Sequence, residues 1–391
     1  MVDPKASFPV EPFRVAVPDS DIDELRRRLA GTRWIDQIEG TTWEYGVDIS
    51  WLRGLCEYWR DGFDWRAAEG RLNAWPQFTT DIDGLRVHFY DVRSPEPNAM
   101  ALVLMHGWPS GSGEFTDVIS ALTNPRAHGG DPADAFHVVV PSLPGFGFSG
   151  PTDRRGVNAL AMGKAIAALM DRLGHGRYVA QGGDIGAGVA AVLTGIDPRH
   201  LVAAHLNLLP LGPPDPADPM AGLDAADRAR VQGTYAILAE DAGYWRIQET
   251  RPQTVAQALN DSPAGLCGWI VEKYRAWTDC GGDVESAFTR DQLLTNVSVY
   301  WFTRTIASSA RFYFETRVAG GTASIDTSTK SPVPVGYADY PGEHFKMARA
   351  WAEQSFNLVH WSTQTSGGHF PALQLPDQFV NEIRSFCRSY R

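Results

Sequence analysis

The chain has 391 residues, an apolar fraction of 43% and a formal net charge of -11. Its length suits one large domain with additions, and its acidic balance argues against a nucleic-acid partner, because phosphate binding needs clustered Lys and Arg. Its four cysteines show no C-x-x-C spacing, which argues against both a metal site and a disulfide framework.

Membrane insertion is not predicted either. The first thirty residues carry many charges and no apolar core of a signal peptide. The longest apolar runs, such as residues 101–105, are far too short to span a bilayer. We therefore expect a cytoplasmic protein without a membrane anchor.

Up to about residue 95 the pattern mainly indicates helices and loops, closed by a strand at 85–91. Beyond it, continuous apolar runs predict buried strands at 101–105, 137–141 and 178–181. Helical periods lie between and after these runs, at 157–173 and 189–194. This alternation indicates an α/β protein with a mostly parallel, doubly wound sheet.

A proline-rich break at 213–219 separates these alternating strands and helices from a stretch with a different sequence pattern. Helical patterns follow at 225–239, 254–259, 264–277 and 291–307, and the next strand is predicted only at 333–335. We therefore predict that these helices form a cap inserted into the sheet domain. We predict four segments: an N-terminal extension reaching the first core strands (1–95), the first part of the core (96–212), the cap (213–320) and the second part of the core (321–391).

The sequence Gly182-Gly183-Asp184-Ile185-Gly186 follows a predicted strand and opens a helix. This is the spacing of a nucleophile elbow, G-x-S-x-G, with Asp in place of Ser. Small neighbours are needed because the sharp turn forces the nucleophile into strained backbone angles. A glycine-rich turn with Asp184 as an ordinary helix cap would give the same pattern.

A second motif, His106-Gly107-Trp108-Pro109, directly follows the strand at 101–105. In α/β-hydrolases this loop supplies one oxyanion-hole amide, and the residue after the nucleophile supplies the other. The predicted donors are the amides of Trp108 and Ile185. A plain turn at the end of a strand is the alternative.

A third motif, Gly367-Gly368-His369-Phe370-Pro371, provides a histidine in the chain order of this fold: nucleophile, acid, histidine. A structural histidine is the alternative, but two glycines would let this loop approach the elbow closely. The acid must lie between the cap and His369. Asp339, Glu343 and Glu353 are candidates; Glu353 falls in a helical stretch that favours a surface role, and spacing alone barely separates the other two.

Taken together, these motifs resemble the epoxide hydrolase family that includes the microsomal enzymes. The resemblance covers almost the full length, since further matching stretches lie in the extension, the core and the cap: 13–18, 73–78, 141–149, 250–254, 293–296 and 309–313. It implies an α/β-hydrolase fold, Glu343 as the acid, and Tyr244 and Tyr313 as donors to the epoxide oxygen. We also expect His106, Pro109 and Trp245 to contact the substrate. One departure is Ile185, where the family usually has Trp, which makes the pocket wall smaller and aliphatic.

The aspartate fits this chemistry. A carboxylate can attack a saturated epoxide carbon and form an ester that water then cleaves, whereas a serine would leave an unreactive ether. An epoxide and water are the expected reactants, and no metal or cofactor is required. Two alternatives remain: a haloalkane or haloacid dehalogenase, and a non-catalytic protein that binds a small apolar ligand. The sequence leaves open the substrate, a role in detoxification or in antibiotic and other natural-product biosynthesis, and whether the chain forms a homo-oligomer.

Overall fold

A computed structural model describes residues 9–321 and 330–391. Residues 1–8 of the predicted extension and 322–329 of the predicted second core part lie outside the described residues. Within these ranges, nine strands form one sheet. They are β1 Glu11–Phe13, β2 Gln77–Ile82, β3 Leu85–Val92, β4 Met100–Met105, β5 Phe136–Pro141, β6 Tyr178–Gly182, β7 Leu201–Leu206, β8 Pro334–Asp339 and β9 Asn357–Thr363.

The strands lie in the order β1-β2-β3-β5-β4-β6-β7-β8-β9. Pairing is antiparallel from β1 to β5 and parallel from β5 to β9. The α-helices of the described ranges are α1 Asp19–Ala30, α2 Ile49–Asp61, α3 Trp65–Leu72, α4 Ile119–Thr123, α5 Ala159–Arg172, α6 Asp184–Ile196, α7 Ala225–Asp241, α8 Gly243–Thr250, α9 Pro252–Asp261, α10 Pro263–Ala276, α11 Arg290–Thr303, α12 Ile306–Val318, α13 Arg349–Ser355, α14 Pro371–Gln374 and α15 Pro376–Cys387.

Strand β4 shows why its sequence is a continuous apolar run. Val103 and Met105 belong to one apolar cluster, which includes residues of α5 and α6, while Leu102 and Leu104 belong to a second, which includes residues of α4 and α15. Successive side chains of a strand point to opposite faces, so a strand covered on both sides must be apolar at every position. The centre of the sheet is therefore buried on both faces, and the carboxyl ends of β4 and β6 lie side by side.

The predicted central strands and α5 are confirmed to within a few residues, and several other elements differ from the pattern. The extension contributes β1 and β2 as well as helices. Strand β7 was not predicted, whereas β9 lies where a strand was expected before the motif that contains His369. The predicted helix 291–307 is two helices, because Arg304 ends α11 with a left-handed backbone angle, φ 55°.

The segment between β7 and β8 contains α7 to α12, in the stretch predicted as the cap. The extension is joined to it by side-chain hydrogen bonds. Trp59 Nε1 donates to Ser298 Oγ at 2.9 Å, and Tyr58 Oη donates to Asp291 at 2.8 Å. Helix α1 is linked as well, through Arg28 and Asp261 at 2.8 Å. We propose that the four predicted segments are the structural units of the chain.

Across 9–321 and 330–391, no helix combines the length and apolar character needed to cross a membrane.

Candidate active site

Asp184 lies at a sharp bend between β6 and α6, and its backbone has φ 49°. Left-handed angles are uncommon for residues other than glycine and mark strain at functional sites. Gly186 permits the bend, since a Cβ there would lie 2.1 Å from the Met105 carbonyl oxygen. A Cβ on Gly107 would lie 2.1 Å from Asp184 Oδ1. The glycines thus allow two backbone segments, the bend after β6 and the loop after β4, to converge on one carboxylate.

The backbone amide of Trp108 donates a hydrogen bond to Asp184 Oδ1 at 2.8 Å. The loop that carries this amide is fixed from the cap, because Asn296 Nδ2 donates to the Pro109 carbonyl at 2.7 Å and Tyr300 Oη donates to the Ser110 carbonyl at 2.9 Å. Oδ1 therefore already occupies the position where negative charge would develop if the Asp184 carboxyl became a tetrahedral centre.

His369 lies on the other side of the carboxylate. Its Nε2 is 3.5 Å from Asp184 Oδ2, and its Nδ1 is 2.9 Å from Glu343 Oε2. The loops after β8 and β9 meet through a bridge between Gly342 and Gly368, which brings the acid and the histidine together. The histidine is therefore oriented by one carboxylate toward another.

The other two candidate acids lie in different surroundings. Asp339 is the last residue of β8, because the strand extends beyond the short apolar run predicted at 333–335. Its carboxylate is paired with Arg230 and Lys346. Glu353 is on the exposed face of α13, paired with Arg349 at 2.8 Å. Of the three, Glu343 contacts His369.

Electrostatics couple the three groups. Burial alone would lower the pKa of His369, but the carboxylates of Glu343 and Asp184 outweigh burial and raise it above the usual range. Burial would likewise raise the pKa of Glu343, but His369 and His344 outweigh it and hold that pKa below the usual range. With both carboxylates charged, His369 therefore retains a proton.

Tyr244 and Tyr313 come from α8 and α12 and line the same cavity as Asp184, with a volume of about 280 Å³. The ring of Tyr244 stacks on Trp108 at 5.1 Å, and Tyr313 meets Trp108 edge-on at 6.1 Å. Burial, reinforced by nearby negative charge at Asp184, raises the pKa of both tyrosines well above the usual value. Both hydroxyls therefore keep their protons and can donate hydrogen bonds into the cavity.

The remaining predicted residues divide into two groups. Ile185 and Trp245 line the same cavity as the tyrosines. His106 and Pro109 are not among its lining residues. His106 is 1% exposed, its Nε2 accepts a hydrogen bond from the Leu143 amide at 3.1 Å, and burial lowers its pKa to about 4. Both residues shape the loop that presents the Trp108 amide.

Sequence reasoning missed a layer of side chains behind the site. Trp277 stacks on His344 at 4.4 Å, and its carbonyl accepts the His369 amide at 2.9 Å. Its indole donates to Asp241 at 2.8 Å, and Asp241 also binds Lys273, whose ammonium lies 4.9 Å from the Tyr244 ring centre. No motif marks these positions; the signal available was only an aromatic residue ending a cap helix.

Glu343, His344 and His369 also offer ligand atoms that lie within 4.8 Å of one another. Their contacts already account for this proximity, since Glu343 faces the Nδ1 atoms of both histidines, at 3.0 Å for His344 and 2.9 Å for His369. The arrangement acts chemically as a carboxylate that orients and charges an imidazole.

This strand order and the strained aspartate at the end of β6 define the chain as an α/β-hydrolase. The family model for the epoxide hydrolase N terminus matches residues 10–115, and that for the alpha/beta hydrolase fold matches 101–242. The chain belongs to the epoxide hydrolase family, as predicted.

Individual relatives support this membership. The chain is 45% identical to a Stigmatella aurantiaca protein named as a candidate epoxide hydrolase, over 98% of this chain and 86% of that protein. It is 34% identical to epoxide hydrolase 1 of Sus scrofa, over 96% and 88%. The solved juvenile hormone epoxide hydrolase of Bombyx mori has a TM-score of 0.89 at 29% identity, covering 98% of this chain and 95% of that one. The solved Aspergillus niger epoxide hydrolase gives 0.85 at 31% identity, over 99% and 98%.

Proposed function

We propose that this epoxide hydrolase converts an epoxide and water into a vicinal diol through an alkyl ester on Asp184. The observation that carries the proposal is the placement of one carboxylate between an amide donor, an imidazole and two proton-bearing tyrosines. Membership in the family supports the reaction, and the assignment of roles to individual residues is ours.

In the first half of the reaction, Asp184 Oδ2 attacks an epoxide carbon, because Oδ1 is held by the Trp108 amide. The C–O bond of the strained ring breaks, and its electron pair moves onto the epoxide oxygen. Tyr244 and Tyr313 donate hydrogen bonds to this oxygen and supply its proton. The products are a neutral ester on Asp184 and a hydroxyl group on the adjacent carbon.

In the second half, His369 removes a proton from water, and the oxygen of that water attacks the ester carbonyl carbon of Asp184. The charge on Oδ1 is stabilised by the amides of Trp108 and Ile185, each worth about 3 kcal/mol in comparable sites. Collapse of the tetrahedral centre breaks the bond between the Asp184 carbonyl carbon and the substrate oxygen. The proton of the resulting carboxyl group passes to that oxygen, which releases the diol and restores the carboxylate.

The charge of Asp184 also controls when His369 can act as a base. In the free enzyme, two carboxylates keep His369 protonated. Ester formation removes the negative charge of Asp184, so the pKa of His369 falls. The imidazolium proton then passes to the tyrosine that gave its proton to the epoxide oxygen, and the neutral imidazole can deprotonate water. Formation of the ester on Asp184 thus also frees His369 to act as the base that hydrolyses it.

A small epoxide with an apolar or aromatic substituent fits the cavity best, since Trp245, Phe312 and Phe345 contribute to its walls. Roles in detoxification and in natural-product biosynthesis both remain hypotheses. The acidic net charge supports the prediction that nucleic acid is not a partner.

We expect the purified chain to release diols from a panel of aryl and alkyl epoxides and no halide from matched haloalkanes. The reason is that paired tyrosine hydroxyls protonate an alkoxide, whereas a dehalogenase stabilises halide with N–H groups. Product chromatography and a halide electrode measure the two outcomes. Halide release without diol formation would favour the dehalogenase alternative, and neither product would favour a binding protein.

Replacing Tyr244 or Tyr313 by phenylalanine is expected to slow ester formation roughly 10- to 100-fold, and replacing both to slow it roughly 10³- to 10⁴-fold, because general-acid assistance is lost. Rapid-quench measurement of the ester on Asp184 gives this rate directly. Tyr235, which is 39% exposed on α7, provides the matched control as Tyr235→Phe. If the double variant forms ester at the normal rate, the tyrosines do not serve the epoxide oxygen.

A further inference from the structure

Glu114 is an acidic side chain beside the active site that the proposed mechanism does not use. It lies in the short 3-10 turn Ser112–Phe115, which follows the loop carrying the Trp108 amide. Burial, opposed by a hydrogen bond from Ser110, raises the pKa of Glu114 to about 7. A carboxyl group in this position, without a salt-bridge partner in the described part of the chain, calls for an explanation.

Two spaces adjoin Glu114. One is a chamber of about 380 Å³, which we call the rear chamber, between α3, the Trp108 loop and α11. The other is a void of about 10 Å³, which we call the water void, lined by Asp184 and His369 among others. Ser110 and Glu114 line both spaces, so they form the boundary between them. The rear chamber shares no lining residue with the substrate cavity of Tyr244 and Tyr313.

The water void has the size and lining that a single water requires. A cavity volume of about 10 Å³ is close to the minimum for one water molecule, which also needs two to four polar partners. Gln181 and Asn207, which are 1% and 2% exposed, line it and hydrogen bond to each other at 2.8 Å. Within the described residues, one amide oxygen and one amide nitrogen of this pair have no partner. A water in the void would satisfy such groups.

The reaction itself needs a second route for water. Once the ester has formed, the alkyl group of the substrate occupies the cavity beneath Tyr244 and Tyr313 and blocks approach from that side. Water must nevertheless reach the carbonyl carbon of Asp184 next to His369 Nε2. The water void adjoins both residues from the opposite side.

We propose that Glu114 positions the hydrolytic water, and that this water enters from the rear chamber through the boundary formed by Ser110 and Glu114. The carboxyl group hydrogen bonds to the water as it passes, and holds one molecule where His369 deprotonates it. Glu114 is a positioning residue, since it acts through the water. This inference rests on the proposed function and adds to it a separate entrance for the second reactant.

The test separates the two half-reactions of Glu114→Leu and Glu114→Gln by rapid quench with an aryl epoxide. For Glu114→Leu we expect ester formation within about twofold of the wild type and ester hydrolysis roughly 10- to 100-fold slower, because a misplaced reactant costs up to about two orders of magnitude. Glu114→Gln retains hydrogen bonding and should recover most of the hydrolysis rate. Glu353→Gln, on the exposed face of α13, is the matched control.

A second variant tests the route without touching the carboxyl group. Thr295→Trp places an indole in the rear chamber, away from the substrate cavity, and should slow hydrolysis while ester formation is unchanged. Equal slowing of both steps, or no slowing of hydrolysis in either Glu114→Leu or Thr295→Trp, overturns this inference alone. Absence of any ester on Asp184 in the wild type overturns the proposed function and this inference with it.

Discussion

Replacement of Asp184 by asparagine is expected to abolish both ester formation and diol release, with a loss of roughly 10⁴-fold or more, as for other covalent nucleophiles. An amide oxygen can still accept the Trp108 hydrogen bond, so the elbow should keep its shape. An uncharged amide is, however, too weak a nucleophile to open the ring at a saturated carbon. Steady-state diol production and the mass of the intact protein after exposure to epoxide measure the two losses.

The matched control for this variant is Asp23→Asn, which alters an aspartate that is 75% exposed on α1. It should retain normal turnover and normal thermal stability. Diol formation by the Asp184→Asn protein at a rate near that of the wild type would falsify the assignment of the nucleophile, whatever the fate of the other residues.

Replacement of His369 by glutamine should separate the two halves of the reaction. Asp184 keeps its carboxylate, so the enzyme still attacks the epoxide, but water is no longer deprotonated and the ester persists. Turnover is expected to fall roughly 10²- to 10⁴-fold, the usual contribution of a general base. Intact-protein mass spectrometry should show a gain equal to one epoxide molecule, and peptide mapping should locate it on Asp184.

His128→Gln is the control, because His128 is an exposed residue on the surface of the domain, hydrogen bonded to Ser120. It should turn over normally and accumulate no ester. If the folded His369→Gln protein accumulates no ester, His369 is needed for the attack on the epoxide. In that case its assignment to the hydrolysis step alone is wrong.

The parts of the site that could be predicted are those marked by residues that lie close together in the sequence. The Asp184 elbow, the Trp108 loop and the His369 loop each combine a reactive residue with glycines, because close backbone approach demands them. Such motifs are contiguous and were found from the residues alone. The choice of Glu343 over Asp339 as the acid could not be made from neighbouring residues in the sequence. It came from the family resemblance, because it depends on how far β8 extends and where its following loop turns.

The supporting layer could not be predicted for the same reason. Trp277, Asp241 and Lys273 converge on the site from two cap helices and the turn after one of them, with no shared spacing. Glu114 looked like an ordinary residue after a loop, and only the adjoining spaces make it notable. In the fold, β7 was missed, while the buried central strands were found because both of their faces are covered.

The hydrogen bonds between the extension and the cap have a mechanical consequence. A cap that swung away as a rigid body would break the contacts of Tyr58, Trp59 and Arg28 at once, along with the apolar packing of α1 and α2 on α10. We therefore expect reactants to enter and leave through rotations of individual side chains rather than through movement of the whole cap. On this expectation, the N-terminal segment keeps the cap in place while product is exchanged for a new epoxide.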